Sequence, residues 1–222
     1  MKRILVISPH PDDEAIGCGG AICKHVDDGD RVQVVFLTSG EKGGHGKSEA
    51  ETQSAREREA EDAARILRYD ELEFWRLPDG ALEATDATIG QVRTLIEHFV
   101  PDLLYVPHAA EMHPDHQAAH RIVSSALLQL QEQRPTPTVL AYEVWTPIQR
   151  IDVIVDITEF MEIKLAAVRA YRTQCDVLRF DEAVRGLNRY RGEMYSWPGG
   201  DYAEVFVAGE PAYEHPETTA SP

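Results

Sequence analysis

Residues 2–20 read KRILVISPHPDDEAIGCGG. The opening KRILVIS is a short β-branched run closed by Pro9, the pattern of a fully buried strand. Residues 14–28 carry apolar and small side chains and end at Gly29, which suits a helix C-cap. A buried strand that passes straight into a helix is the first unit of an α/β fold, and the alternation continues along the chain. RVQVVFLTS (31–39) is a second strand, and residues 51–68 form the clearest helix, with Ala60, Ala63, Ala64 and Leu67 on one face. ELEFWRL (71–77) and DLLYVP (102–107) read as strands on either side of a helix over 86–99. A long helix follows HAAEMHPDH and runs to about Gln133, stopped by Pro135. TVLAYEVW (138–145) and DVIVDI (152–157) read as strands, and 158–173 as an amphipathic helix. The pattern predicts one α/β domain with a mainly parallel sheet and helices on both faces. No repeat or linker interrupts it. The segment from about residue 175 is the least legible. The tail EHPETTASP (214–222) is polar and Pro-containing and is expected to be disordered.

The 222 residues carry 22 Lys plus Arg against 38 Asp plus Glu, a formal charge of −16. Phosphate backbones and anionic lipid surfaces repel such a chain, so neither nucleic acid nor membrane is an expected partner. Cys18, Cys23 and Cys175 lack any framework spacing, which reads as reduced thiols in a cytoplasmic protein. The apolar run after Met1 is too short for a signal-peptide core, and no stretch approaches the roughly 18 apolar residues of a spanning helix. The chain therefore reads as soluble and unprocessed.

Three consecutive acids, Asp12, Asp13 and Glu14, repel one another unless something cationic offsets them. In open parallel sheets, sites form at the carboxyl ends of strands. Two of the loops there contain His-Pro-Asp: His10, Asp12 and Asp13 after the first strand, and His113, Asp115 and His116 after the fourth. Two histidines and a carboxylate with an open position compose a catalytic zinc centre. Each His lies three residues before a second candidate ligand, so each pair can face one point. The bland alternatives are helix-start acids that complement the macrodipole and a surface turn bearing histidines. Two near-misses are set aside. GCGG (17–20) has Ile22 where the third glycine of a dinucleotide fingerprint belongs, and GGHGKS (43–48) has Glu41 where a P-loop needs glycine. The glycines of the first helix are expected to permit close packing on the sheet.

PHPDDE (9–14) and HPDH (113–116), in that order, resemble the PIG-L/LmbE-like zinc-dependent N-acetylglucosaminyl deacetylases, with bacillithiol-type deacetylases among the most similar. GCGGAI (17–22), FLTSGE (36–41), REREAEDAARIL (56–67), LPDGAL (77–82) and YAEVF (202–206) extend the resemblance over nearly the whole chain. It implies a Rossmann-like fold over residues 1–213. It implies Zn2+, or another divalent ion such as Fe2+, held by His10, Asp13 and His116. Asp12 matches the general base, His113 the general acid, and Asp115 the group that orients His113 as an imidazolium. Arg56 matches a substrate-contacting arginine, and Glu41 and Tyr202 are further candidates to bind substrate. Some members place a Tyr two residues before HPDH as an oxyanion helper, and here that position is Glu111. The oxyanion contact then falls to His113 and the metal, or to Tyr202.

The implied activity is hydrolysis of an acetamide on an N-acetylglucosamine-containing small molecule, with N-acetylglucosaminyl-malate one candidate. An amidase acting on another amide, such as a thiol conjugate, and a non-haem iron enzyme using the same two-His-one-Asp set are the alternatives. The resemblance also implies a homo-oligomer, as a dimer, trimer or hexamer.

Overall fold

The computed structural model describes residues 1–69, 71–130, 136–195 and 200–209. The tail expected to be disordered, the domain boundary expected at 213 and the end of the helix expected near Gln133 lie outside the described residues.

Strand β1 (Arg3–Ser8) leads into helix α1 (Asp13–Asp27), β2 (Arg31–Thr38) into α2 (Glu49–Leu67), β3 (Glu71–Leu77) into α3 (Asp86–Phe99), and β4 (Leu103–Pro107) into α4 (Pro114–Leu130). Then come β5 (Thr138–Tyr142), β6 (Val153–Asp156), a 3-10 turn (Thr158–Phe160), α5 (Met161–Ala170), α6 (Arg172–Cys175), α7 (Phe180–Tyr195) and β7 (Ala203–Ala208). The strands form one sheet in the order β3-β2-β1-β4-β5-β7-β6. The first five pair in parallel, and β7 runs antiparallel between β5 and β6. This is the expected mainly parallel α/β domain. The antiparallel insertion of β7 and the helix α7 are additions that the sequence pattern did not show.

Alternation along β1 builds two cores, because successive side chains point to opposite faces. Ile4 and Val6 pack with α1, α2 and α5, while Leu5 and Ile7 pack with α3 and α4. Ala60, Ala63, Ala64 and Leu67 of α2 are buried, as their spacing predicts. Helix α2 starts two residues earlier than expected because Ser48 caps it: its hydroxyl accepts from the Glu51 amide and the Glu51 carboxylate accepts from the Ser48 amide.

Helix α1 carries the first motif, and two features set its position. A Cβ on Gly17 would lie 2.2 Å from the Tyr142 ring, and one on Gly20 2.6 Å from Ile157, so these glycines admit the helix to the sheet. The helix also breaks at Cys18 (φ −141°, ψ 20°). The break frees the amides of Gly20 and Ala21, which donate to the two carboxylate oxygens of Glu204 at 2.8 Å each. Lys164 completes this buried cluster, 2.6 Å from Glu204.

Candidate active site

β1 and β4 are neighbours from which the chain leaves to opposite sides of the sheet, β2 lying beyond β1 and β5 beyond β4. Such a reversal opens a crevice at the strand carboxyl ends. The loops after β1 and β4 meet there. His10 Nδ1 lies 3.2 Å from Asp13 Oδ2 and 3.3 Å from His116 Nε2, and His116 Nε2 lies 3.2 Å from Asp13 Oδ2. His113 adds a ring whose centroid is 4.8 Å from that of His10.

The donor chemistry of this triangle calls for a cation. His10 Nε2 faces two carboxylates, Asp79 at 3.1 Å and Asp115 at 3.2 Å, and so carries the ring proton. Its Nδ1 lone pair then points at the other two corners. His116 Nδ1 faces Glu111 Oε2 at 3.6 Å, which leaves Nε2 as that ring's lone pair. Three lone pairs converge with no proton to share. The triangle's edges match the roughly 3.3 Å between ligand atoms of a tetrahedral ion with bonds of about 2.0–2.1 Å. The residues fit a divalent metal, and the carboxylates behind each ring are the usual outer partners of ligating histidines. Without an ion the cluster draws protons instead. Burial disfavours a charged imidazole, yet Asp115, Asp13 and Asp79 hold His10 well above its usual range, and Asp13 and Glu111 hold His116 at about 9.

Asp12 stands apart from this triangle. Its backbone lies at φ 136°, ψ −28°, a region that non-glycine residues avoid except where their surroundings impose it. Here the surroundings do so. Its amide donates to Glu14 Oε2 at 3.2 Å, and Glu14 in turn accepts from the Tyr171 hydroxyl. Arg56 donates to Asp12 Oδ2 at 3.0 Å, to the Pro11 carbonyl at 2.6 Å and to the Gly40 carbonyl at 3.1 Å. Burial pushes Asp12 up to about 7, against the pull of Arg56. Burial acts on Asp13 too, but His116 and His10 hold it well below the usual carboxylate range. Adjacent carboxylates thus differ: one stays ionised among nitrogens, the other is poised near neutrality.

Several expected roles change on this geometry. Asp115 does not orient His113: its Oδ2 accepts from the Gly80 amide at 2.7 Å and faces His10, and its Oδ1 accepts from the Leu82 amide. The two backbone amides turn the carboxylate away from His113, whose Nδ1 instead accepts from the Asp115 amide at 3.2 Å. Burial and the neighbouring His10 and His116 hold His113 below its usual range. Arg56 lines the cleft, and its two terminal nitrogens also hold the loop around Asp12. Glu41 accepts from the Asp79 amide at 2.9 Å and so fixes the turn that brings Asp79 to His10. Tyr202 is not brought to the cleft. Its ring lies 5.6 Å under the Arg189 guanidinium, and its backbone pairs with Thr158.

Two further residues join the site. Asp79 lies in LPDGAL, a turn with no ligand spacing of its own. Glu111 stands where some members of the resembled family have Tyr, and its sequence position carries no other signal. It is fully buried, and its Oε1 accepts from the amides of Val144, Trp145 and Thr146 at 2.7, 3.0 and 3.1 Å. The cleft beside the triangle measures about 350 Å³, and Trp145, Leu178 and Phe180 line it together with Asp12 and His113.

Residues 5–127, which contain both motif loops, match the PIG-L family, described as GlcNAc-PI de-N-acetylase. The chain belongs to the PIG-L family. This PIG-L protein is 32% identical to the probable N-acetyl-alpha-D-glucosaminyl L-malate deacetylase 2 of Bacillus subtilis over 215 residues, 88% of this chain and 93% of that one. It is also 32% identical to the diacetylchitobiose deacetylase of Thermococcus kodakarensis over 239 residues, 94% of this chain and 84% of that one. Among solved structures, the 4-carboxy-2-hydroxymuconate hydratase GalB of Pseudomonas putida superposes with a TM-score of 0.84 at 26% identity, covering 97% of this chain and 99% of that one. Among the described residues of this PIG-L protein, no helix is long and apolar enough to cross a membrane.

Proposed function

We propose that the protein is a metal-dependent hydrolase that removes the acetyl group from an N-acetylglucosamine-containing small molecule. The observation that carries this reading is the lone-pair triangle of His10, Asp13 and His116 beside a separate carboxylate, Asp12, poised near neutrality. The names of the two deacetylases it is similar to support the substrate class. A divalent ion held by the triangle, zinc or ferrous iron, lowers the pKa of a bound water and polarises an amide carbonyl.

The chain's own residues supply the rest. Asp12 accepts a proton at its carboxylate as water adds to the amide carbon, and a pKa near the working pH suits that task. Arg56 keeps the carboxylate in place. His113, edging the cleft, donates a hydrogen bond to the developing oxyanion; once it has taken up a proton from solvent it passes that proton to the leaving amine, and the proton held by Asp12 returns to solvent. Asp115 and Asp79 fix the His10 tautomer, and Glu111 fixes that of His116. The products are acetate and a free glucosamine nitrogen.

The likeness to the hydratase favours a second reading, addition of water to an unsaturated acid on the same residues. Acetate release from the zinc- and iron-loaded protein decides between them. The panel is N-acetylglucosaminyl-malate, N-acetylglucosaminyl-inositol and diacetylchitobiose, with loss of ultraviolet absorbance from unsaturated dicarboxylates followed in parallel. Acetate from at least one sugar is the expected result. Absorbance loss with no acetate from any sugar would move the assignment to a hydratase.

A further inference from the structure

The cleft has an apolar neighbour that removal of an acetyl group leaves unused. A pocket of about 330 Å³ lies between α1 and α7, lined among others by Ile16, Val184 and Leu187. Trp145, Leu178 and Phe180 line both this pocket and the cleft that holds His10, Asp12 and His113. The Trp145 and Phe180 rings meet edge to face, their centroids 5.6 Å apart at 80°. The two rings thus border both chambers, which adjoin.

Charge tells what the second chamber accepts. Glu143 and Glu204 both border it, and both are already neutralised, Glu143 by Arg191 at 2.6 Å and Glu204 by Lys164 at 2.6 Å. Arg179 at the rim pairs with Glu182. A carboxylate placed there would be desolvated beside two acids with their cations engaged, a costly arrangement. An alkyl or aryl group would exchange water for Ile16, Val184 and Leu187, which is favourable, beside the polar side chain of Asn188, whose amide nitrogen already donates to the Ala203 carbonyl. The border of the two chambers shows the same preference: Leu178 and Trp145, which line both, are 48% and 43% exposed, and Val177, which lines the cleft, is 49% exposed.

We propose that this pocket is a second subsite, taking an uncharged alkyl or aryl group carried by the same molecule whose acetamide is held beside His10, Asp13 and His116. The inference rests on the deacetylase reading for the identity of the first group. It narrows the substrate class to sugar conjugates with an apolar aglycone, and it disfavours a charged one such as malate.

Calorimetric titration of the zinc-loaded protein with methyl, butyl and hexyl glycosides of glucosamine tests it without turnover. Affinity is expected to rise about three- to fourfold per added methylene. The rise should vanish in Ala183→Trp, which fills the pocket from an exposed position on α7, with methyl-glycoside binding unchanged. Leu187→Asp provides the same readout should the first variant fold poorly. Equal affinity for methyl and hexyl glycosides, or a hexyl preference that survives both variants, overturns the proposal. So does self-association of the wild type that Leu178→Glu abolishes, which would give the patch to a second copy of the chain. Acetate release from N-acetylated methyl glycoside is measured separately. Its absence alongside an intact hexyl preference would defeat the deacetylase reading and leave the subsite standing.

Discussion

His116 Nδ1 and Glu111 Oε2 face each other at 3.6 Å, and neither atom has a hydrogen-bonding partner among the described residues. The other Glu111 oxygen receives three consecutive backbone amides. One buried carboxylate therefore serves both a metal-binding ring and the loop that carries Trp145.

These two tasks separate by substitution. Glu111→Gln keeps an oxygen for the loop and loses the charge behind His116. Metal affinity should fall about 10- to 100-fold, read by competition with a chromogenic chelator. Glu111→Ala also orphans three amides and should cost about 2 kcal/mol or more in denaturant unfolding of the metal-free protein. Unchanged metal affinity in Glu111→Gln would show that the pair does not act on the ligand.

Asp12 and Asp13 are expected to fail differently. Asp13→Asn should lose the metal, because it removes a corner of the triangle. Asp12→Asn should keep the metal and lose about 10²- to 10⁴-fold in kcat. Metal content by mass spectrometry beside turnover separates the two, and equal metal loss in both would end the division of labour.

Arg56 should behave as a positioning residue. Arg56→Lys replaces a planar fork, one nitrogen on Gly40 and the other on Pro11 and Asp12, by a single point that does not span them, so the strained Asp12 backbone loses its brace. The expected result is a fall of about tenfold or more in kcat with KM little changed. A rise in KM confined to anionic substrates would instead return the guanidinium to substrate binding.

Gly17 reverses an ordinary rule. Gly to Ala inside a helix normally stabilises by about 1 kcal/mol. At Gly17 the new methyl would sit 2.2 Å from the Tyr142 ring, and Tyr142 is fully buried with its hydroxyl bonded to the Ile7 carbonyl. Overpacking of this kind costs about 1–3 kcal/mol, so Gly17→Ala should unfold at lower denaturant than wild type. A stabilised variant would mean that the ring moves freely.

The first four strand-helix units were legible because each is a local pattern: an apolar run, a turn residue, then a 3.6-residue stripe. The ligand triangle was legible because two short motifs bring both ends of it. What escaped depends on distant partners. β7 is defined by antiparallel pairing with β5 and β6, strands some fifty to seventy residues earlier, and no local periodicity marks where it inserts. Asp115 lies two residues from His113, yet the amides of Gly80 and Leu82 decide where its carboxylate points. Arg56 offered helix-face spacing, but carbonyls from two other loops claim its donors. Tyr202 and Glu41 were matched by motif position, and motif position does not say which way a side chain turns.

The broken helix α1 also has a consequence for the order of synthesis. His10, Asp13 and His116 have all been synthesised by residue 116, but the carboxylate that occupies the break in α1 arrives only with Glu204. Until then Lys164 and the amides of Gly20 and Ala21 lack their acceptor. A nascent chain therefore holds every corner of the triangle long before it holds the wedge that sets the helix carrying Asp13, and the triangle takes its final form only once Glu204 has been made.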